Sequence, residues 1–415
     1  MVNVLNQTFL NYDNVNNVYT WAFRRTGYMA YRISEIFAAE FGESKRNNQF
    51  RVVLAGQGAN SYIVMQGITL INKFFGPPSK YLYAIASAPY YILDNNYSGV
   101  MNTSDVLDEL AYQARISPQS YGYATYVCLS KFWGLKHFAY EGGPDTYGSY
   151  NVDSKRAAHL DPRMKQITID FLTTWFSYGF DAFLYYTTGY GTYSSSTGAW
   201  AWAETMNDSI HPKKDGVIHM INNPNVPYNT SVFRYLEGSA SQTTQLSIPA
   251  IKHQLAGTTY TTTFIPYSSV GINQTLYYPF VAGKRGIYSV SVETQYAKQG
   301  GSIGIYWNND KMGSVLCNSK VFNFSLPLNT SSVIEKGISV VTLYIESDKS
   351  YSINTVNITL VTEVQDSTPT TPTTPTVSSS QLGQTSTVSN RTVVSEGSNN
   401  GHNFLINFQI IIVIL

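Results

Sequence analysis

The sequence predicts an α/β domain, an all-β domain behind it and a tail with no fold of its own. Three observations carry that prediction. Up to about residue 207, short apolar runs alternate with helical patterns, as in a parallel sheet wrapped by helices. From Tyr260 to Thr362, short β-rich runs with regular turn spacing fit an antiparallel sandwich. After Thr362 the aromatic residues stop and Ser, Thr and Pro take over, beginning with Ser367 to Pro375, a tract too polar to bury a core. The expected divisions are 1–235, 236–364, 365–403 and 404–415.

Each element has its own signal. Val18 to Phe41 is helical, with apolar residues at Met29, Ile33, Ile36, Phe37 and Phe41 and a stop at Gly42. Arg51 to Gln57 reads as a buried parallel strand with its loop, and Tyr62 to Phe75 as the next helix. Tyr81 to Ala88 is the second strand, ending at Pro89-Tyr90-Tyr91. Two helical stretches follow, Thr103 to Arg115 and Ser120 to Phe132. Leu135 to Glu141 is the third strand, stopped by Gly142-Gly143-Pro144; Pro162 to Ser177 is helical; Phe180 to Thr188 is the fourth strand. A Gly/Ser/Tyr-rich loop leads on to Trp200-Ala201-Trp202. In the β-rich part, runs start at Gly286, Ser302, Val321, Val340 and Val356.

Composition narrows the function classes. Hydrophobic residues make up 43% and charged residues 13%, so most of the chain is globular. A formal net charge of +1 gives no electrostatic footprint for nucleic acid. The 33 Tyr, 20 Phe and 6 Trp are the outlier, and tyrosine's ring and hydroxyl suit wet, polar ligands such as sugars as well as strands. Cys128 and Cys317 fall in different predicted domains, neither lies in a metal-binding pattern, and there is no phosphate-binding loop, so no cofactor or metal is expected.

The ends point outside the cell. Sequons occur at Asn6, Asn96, Asn102, Asn207, Asn229, Asn273, Asn323, Asn329, Asn357 and Asn390. Asn96, Asn102, Asn229, Asn273, Asn323, Asn329 and Asn357 are the candidate glycosylation sites. Small residues from Ser398 to Gly401 precede an apolar end, Phe404 to Leu415, whose twelve residues fall short of the ~20 a membrane helix needs. Together they fit a glycosylphosphatidylinositol (GPI) attachment signal, which would tether the protein to the outer face of a membrane, the alternative being a secreted protein. The opening Met1-Val2-Asn3-Val4-Leu5-Asn6 is not a signal peptide, and the expectation is that sequence upstream of it is missing.

The candidate site is Tyr140-Glu141-Gly142-Gly143, a carboxylate closing a predicted parallel strand with glycines that open the backbone to a substrate. With the order of elements from Val18 to Asn207, this motif resembles the second half of the TIM-barrel retaining glycosidases, a partial (β/α)8 barrel holding strands five to eight. The resemblance implies that Glu141 is the nucleophile and that Gln57, Tyr90, Trp200 and Trp202 line the sugar cleft. It also implies an acid/base glutamate after strand four, usually preceded by Asn. That position is empty here, because the first glutamate, Glu35, lies inside the following helix. Retaining hydrolysis takes two carboxyl groups roughly 5–5.5 Å apart, so the chain as given is expected not to hydrolyse. Asp145 and Glu204 are candidate partners for Glu141, and His137 reads as a core histidine. The β-rich part is similar to carbohydrate-binding sandwich modules, with Tyr306 and Trp307 as candidate stacking residues.

The expected function is therefore that of a cell-surface protein directed at a polysaccharide or a glycoprotein glycan. The rivals are a non-catalytic adhesion protein, whose sandwich binds glycan while the α/β part is scaffold, and a decayed fragment without folded function.

Overall fold

The computed structural model describes residues 7–93, 99–187 except 121, 189–229 except 190, 195, 197 and 206, 233–236, 245–249, 275–296, 301–317, 323–347 except 326, 351–365 and 410–414. The α/β part begins with the short α1 (Gln7–Leu10) and the long α2 (Val18–Phe41). Asn17 caps α2 by accepting from the amides of Tyr19 (2.9 Å) and Thr20 (3.1 Å), and Gly42, at φ +99°, ends it. Of the large apolar residues behind the helical pattern, Ile33 and Phe37 pack against the core and three do not. Met29, Ile36 and Phe41 are exposed, whereas Phe23, Gly27, Ala30, Ser34 and Ala38 are buried. Small residues win because α2 crosses the next helix at very close range: a Cβ on Gly27 would stand 2.4 Å from the Gly67 Cα. Arg24, buried on the same face, is held by Asp13 (2.5 Å), the Leu10 carbonyl (2.6 Å) and Gln66 (2.8 Å).

The remaining elements alternate as the sequence predicts: β1 (Phe50–Ala55), α3 (Tyr62–Phe74), the single turn α4 (Pro78–Tyr81), β2 (Ala84–Ser87), β3 (Tyr90–Ile92), α5 (Thr103–Ser120), α6 (Tyr123–Phe132), β4 (Lys136–Ala139), β5 (Gly143–Asp145), α7 (Val152–Leu160), α8 (Arg163–Ser177), β6 (Ala182–Phe183) and α9 (Pro212–Asn222). β1, β2, β4 and β6 are adjacent and parallel, with Leu54 beside Ile85, Ala86 beside Phe138, and Ala139 beside Phe183. The sheet is open. One face packs Val52, Leu54, Ile85 and Ala139 against the helices, and the other carries Val53, Ala55, Ala84 and Ala86 beneath Tyr83, Phe138 and Tyr140. The short elements α1, α4, β3 and β5 and the helices α7 and α9 have no counterpart in the sequence pattern, and β5 runs through the Gly143-Pro144 expected to be a stop. The sequence reading also ends α5 five residues early, since Pro118 lies within that helix.

The second part packs two sheets, built from β7 (Arg234–Leu236), β8 (Gln245–Pro249), β9 (Thr275–Ala282), β10 (Gly286–Tyr296), β11 (Gly301–Trp307), β12 (Asp310–Cys317), β13 (Asn323–Phe324), β14 (Leu328–Asn329), β15 (Gly337–Ile345) and β16 (Tyr351–Glu363). One sheet runs β13-β10-β16-β8 with β14 also on β10, and the other β12-β11-β15-β9-β7. The pairing is antiparallel except for β7, which lies parallel to β9. The expected boundary at 235/236 falls inside β7. Hydrophobic packing crosses it as well. Phe233, Tyr277, Val281 and Val340 share one core with Trp175, Tyr178 and Phe180 of the α/β part.

Residues 365–409 of the expected stalk and tail, apart from Gln365, lie outside the described residues. Residues 410–414, within the expected hydrophobic anchor signal, form β17 (Ile410–Ile414), antiparallel to β1 from Phe50–Ile414 to Leu54–Ile410. The physical reason is the free edge of β1, whose amides and carbonyls accept any extended apolar segment. No helix among the described residues is long and apolar enough to cross a membrane.

Candidate functional site

Four chain segments leave the C-terminal ends of the parallel strands and converge. Glycine makes the convergence possible. A Cβ on Gly58 would stand 2.2 Å from the Ala88 carbonyl oxygen, and one on Gly142 would stand 2.4 Å from that of Pro89. The segments are stitched by backbone bonds: Tyr140 N–H donates to Ser87 (3.1 Å), Gly143 N–H to Pro89 (3.3 Å) and Tyr186 N–H to Gly142 (2.9 Å). β3 and β5 then pair in parallel, setting Tyr90 beside Gly143 and Ile92 beside Asp145.

Glu141 is therefore fixed at the rim of the sheet, partly buried. Burial raises its carboxyl above the ordinary glutamate range, and a hydrogen bond from Tyr90 partly offsets this. Among the described residues no salt bridge pairs it with a cation. Burial also raises the Tyr90 phenol, reinforced by Glu141, Tyr186, Asp145 and Tyr140. These five groups form the polar centre of the site, two carboxyls among three phenols. Tyr140 is raised to about 12 by burial and then by Glu141.

Beside this centre lies a pocket of about 350 Å³ lined by Tyr186, Thr187, Gly191, Thr192, Gly198, Trp200 and Ala201. Tyr186 belongs to both, and its ring meets Trp200 edge-on at 5.8 Å. An aromatic wall with small and hydroxylated neighbours is suited to a polyhydroxylated ring. Of the residues predicted from sequence, Glu141 and Tyr90 come together at the strand ends and Trp200 lines the pocket. Trp202 sits behind it, its ring 6.2 Å from that of Tyr185 and its backbone N–H donating to the Thr187 carbonyl (3.1 Å). Gln57 has an exposed side chain, and its backbone carbonyl accepts from the Tyr126 hydroxyl (2.5 Å).

Other expectations are corrected. Glu204 is no partner for Glu141, because the Arg156 Nε donates to both its oxygens (2.9 and 2.8 Å). Trp307 cannot stack on a sugar: the β11 alternation points it inward, 2% exposed, between Phe280 (5.2 Å) and Tyr288 (5.1 Å). Tyr306 points the other way, 6.0 Å from Phe132 of α6. Asn357 is not an open glycosylation site, because it is 6% exposed and accepts a hydrogen bond from Ser247 across β8 and β16. Asn102 is exposed but caps α5 through the amides of Ser104 (2.8 Å) and Asp105 (3.1 Å). Asn329 is exposed and Asn229 partly buried, while Asn96 and Asn273 lie outside the described residues and Asn323 falls in β13. His137 is a core residue, stacked on Tyr126 at 4.8 Å with Nε2 3.0 Å from the Ser87 hydroxyl. Sequence reasoning missed Tyr186, and no local signal marks it off from the chain's other tyrosines.

No protein-family model matches the chain, and no curated protein matches it. Among solved structures, it is similar to the Podospora anserina GH26-CBM35 β-(1,4)-mannanase at 10% identity and a TM-score of 0.23, over 30% of this chain and 29% of that one. It is similar to the C-terminal CBM6 of LamC from Zobellia galactanivorans at 15% identity and 0.21, over 28% and 98%. A family 35 carbohydrate binding module from Clostridium thermocellum matches at 13% and 0.23, over 28% and 96%. The chain thus spans less than a third of the mannanase's length. At these values the functional reading rests on the site itself.

Proposed function

We propose that this chain is a glycan-directed protein whose α/β part is the back half of a glycosidase-like (β/α)8 barrel, and that it binds a carbohydrate without cleaving it. The observation that carries the reading is the convergence of Glu141, Tyr90 and Tyr186 at the C-terminal ends of adjacent parallel strands, with Tyr186 and Trp200 walling a pocket alongside. Parallel α/β sheets place ligands at that end. The rings would cover the apolar face of a sugar, and Glu141 and Tyr90 would bond its hydroxyls. Hydrolysis needs a second carboxyl group set across from Glu141 as acid/base. Asp145 is the other carboxyl of the polar centre, and its Oδ1 accepts from the Tyr147 amide (2.9 Å).

Calorimetric titration with a panel of neutral oligosaccharides tests the reading. Trp200→Ala and Tyr186→Ala are each expected to weaken binding about tenfold or more, the scale of a buried aromatic anchor. Glu141→Gln is expected to keep most of the affinity, and neither it nor the parent should release reducing ends. Reducing ends freed by the parent and lost in Glu141→Gln would make the protein a hydrolase instead. Equal affinity after both aromatic substitutions would remove the pocket from the reading.

The same reading places the protein on the outer face of a membrane, held by a lipid at the Ser398–Gly401 region. Mass spectrometry of the mature C-terminus decides this. A peptide ending at Leu415 would exclude the lipid attachment and leave β17 in place.

A further inference from the structure

α9 carries a lysine with no part in the polar centre. Lys213 is fully buried, and no carboxylate pairs with it among the described residues. Its Nζ donates to the Ala199 carbonyl (2.5 Å) and stands 4.3 Å over the Tyr193 ring. The Tyr193 hydroxyl in turn donates to the Ala201 carbonyl (2.5 Å). The Ala199 N–H donates to the Thr146 hydroxyl (3.2 Å), which lies 3.1 Å from His159 Nε2. Both residues flanking Trp200 are thus tied to buried side chains, while the Trp200 ring lines the pocket.

We infer that Lys213, acting with Tyr193, is a positioning residue that sets the Trp200 wall of the pocket and thereby its affinity for a sugar ring. The inference deepens the glycan-binding reading and rests on it for the ligand. α9 is a firm base for such a strut, since a Cβ on Gly216 would stand 2.8 Å from the Lys165 carbonyl of α8, so the two helices are in direct contact. The choice of residue points the same way. An unpaired ammonium is expensive to bury, and burial alone holds Lys213 well below the ordinary lysine range. Methionine would fill similar space without that cost. What lysine adds is a donor long enough to reach the Ala199 carbonyl and a head group that seats on the Tyr193 ring.

The test uses the full chain labelled with 5-fluorotryptophan, the Trp200 fluorine signal being assigned by its loss in Trp200→Phe. In Lys213→Met the Trp200 signal should broaden or split while those of the other five tryptophans hold. The melting temperature should stay level or rise, and affinity for the best oligosaccharide of the neutral panel should fall about tenfold. Tyr193→Phe, which removes only the hydroxyl, should disturb the same signal, and it carries the test if Lys213→Met does not fold. An unchanged Trp200 signal in the variants that fold overturns the inference. So does a lowered melting temperature with the Trp200 signal and affinity intact, which would make Lys213 a core residue and no more. If the Trp200 signal loosens but the parent binds no oligosaccharide, the strut stands and the glycan reading falls.

Discussion

Glu141 keeps its proton to higher pH than an exposed glutamate does, and that has a measurable consequence for stability. Its carboxyl is raised by burial, so as pH climbs past the ordinary glutamate value of roughly 4.3 the unfolded chain ionises while the native chain still holds the proton. Through that window stability falls with rising pH, and it stays lowered above the native value. Glu141→Gln is therefore expected to melt higher than the parent at pH 7 and level with it near pH 3, as read by circular dichroism. His137 acts with the opposite slope. Burial, then Lys131, lowers its imidazole to about 3, so the native ring stays neutral below pH 6.5 while the unfolded one charges. Each pH unit lost below that point costs up to about 1.4 kcal/mol from this residue, until the native ring titrates near 3. His137→Gln should flatten the acid limb of a stability-against-pH curve measured by urea unfolding.

Among the elements, the crossing of α2 and α3 is the tightest fit. Gly27 and Gly67 bring the two backbones together, and Gly67 also sits against Leu54 of β1. A methyl group on Gly27 would push α2 off α3. Gly27→Ala should cost about 1–3 kcal/mol of overpacking, visible as a lower urea midpoint at unchanged slope. An unchanged midpoint would mean that the two helices move apart without loss. The hydrophobic pattern does not foresee this contact, because it weights Met29, Ile36 and Phe41, which the fold leaves exposed. Periodicity reports that a helix forms, and small residues decide which side of it is buried.

Across the whole molecule, the α/β part and the sandwich are joined by a shared core. Tyr277 of β9 meets Phe132 of α6 at 5.8 Å, Phe233 meets Tyr178 at 5.9 Å, and Ile338 of β15 fills the space beside Gly179. Calorimetry should therefore show one transition for the two parts. Tyr277→Ala should destabilise both by about 3–5 kcal/mol, the range for a large aromatic lost from a core. Two separate transitions in the parent protein would show that the parts fold independently and that their contact is incidental.

The sequence by itself determined the alternation of strands and helices to Phe180, the antiparallel β-rich character of the second part, and the place of Glu141 at a strand end. These features are written in periods of two and 3.6 residues and in Gly and Pro, which act locally. Only the tertiary structure decided which residues Glu141 meets, which aromatic rings are free for a ligand, and what Lys213 is for. Trp200 and Trp307 look alike as letters, yet one lines a pocket and the other fills a core. Tyr90, Tyr186 and Glu141 stand far apart in the chain and come together because parallel strands stack in register, a long-range pairing that no local pattern encodes.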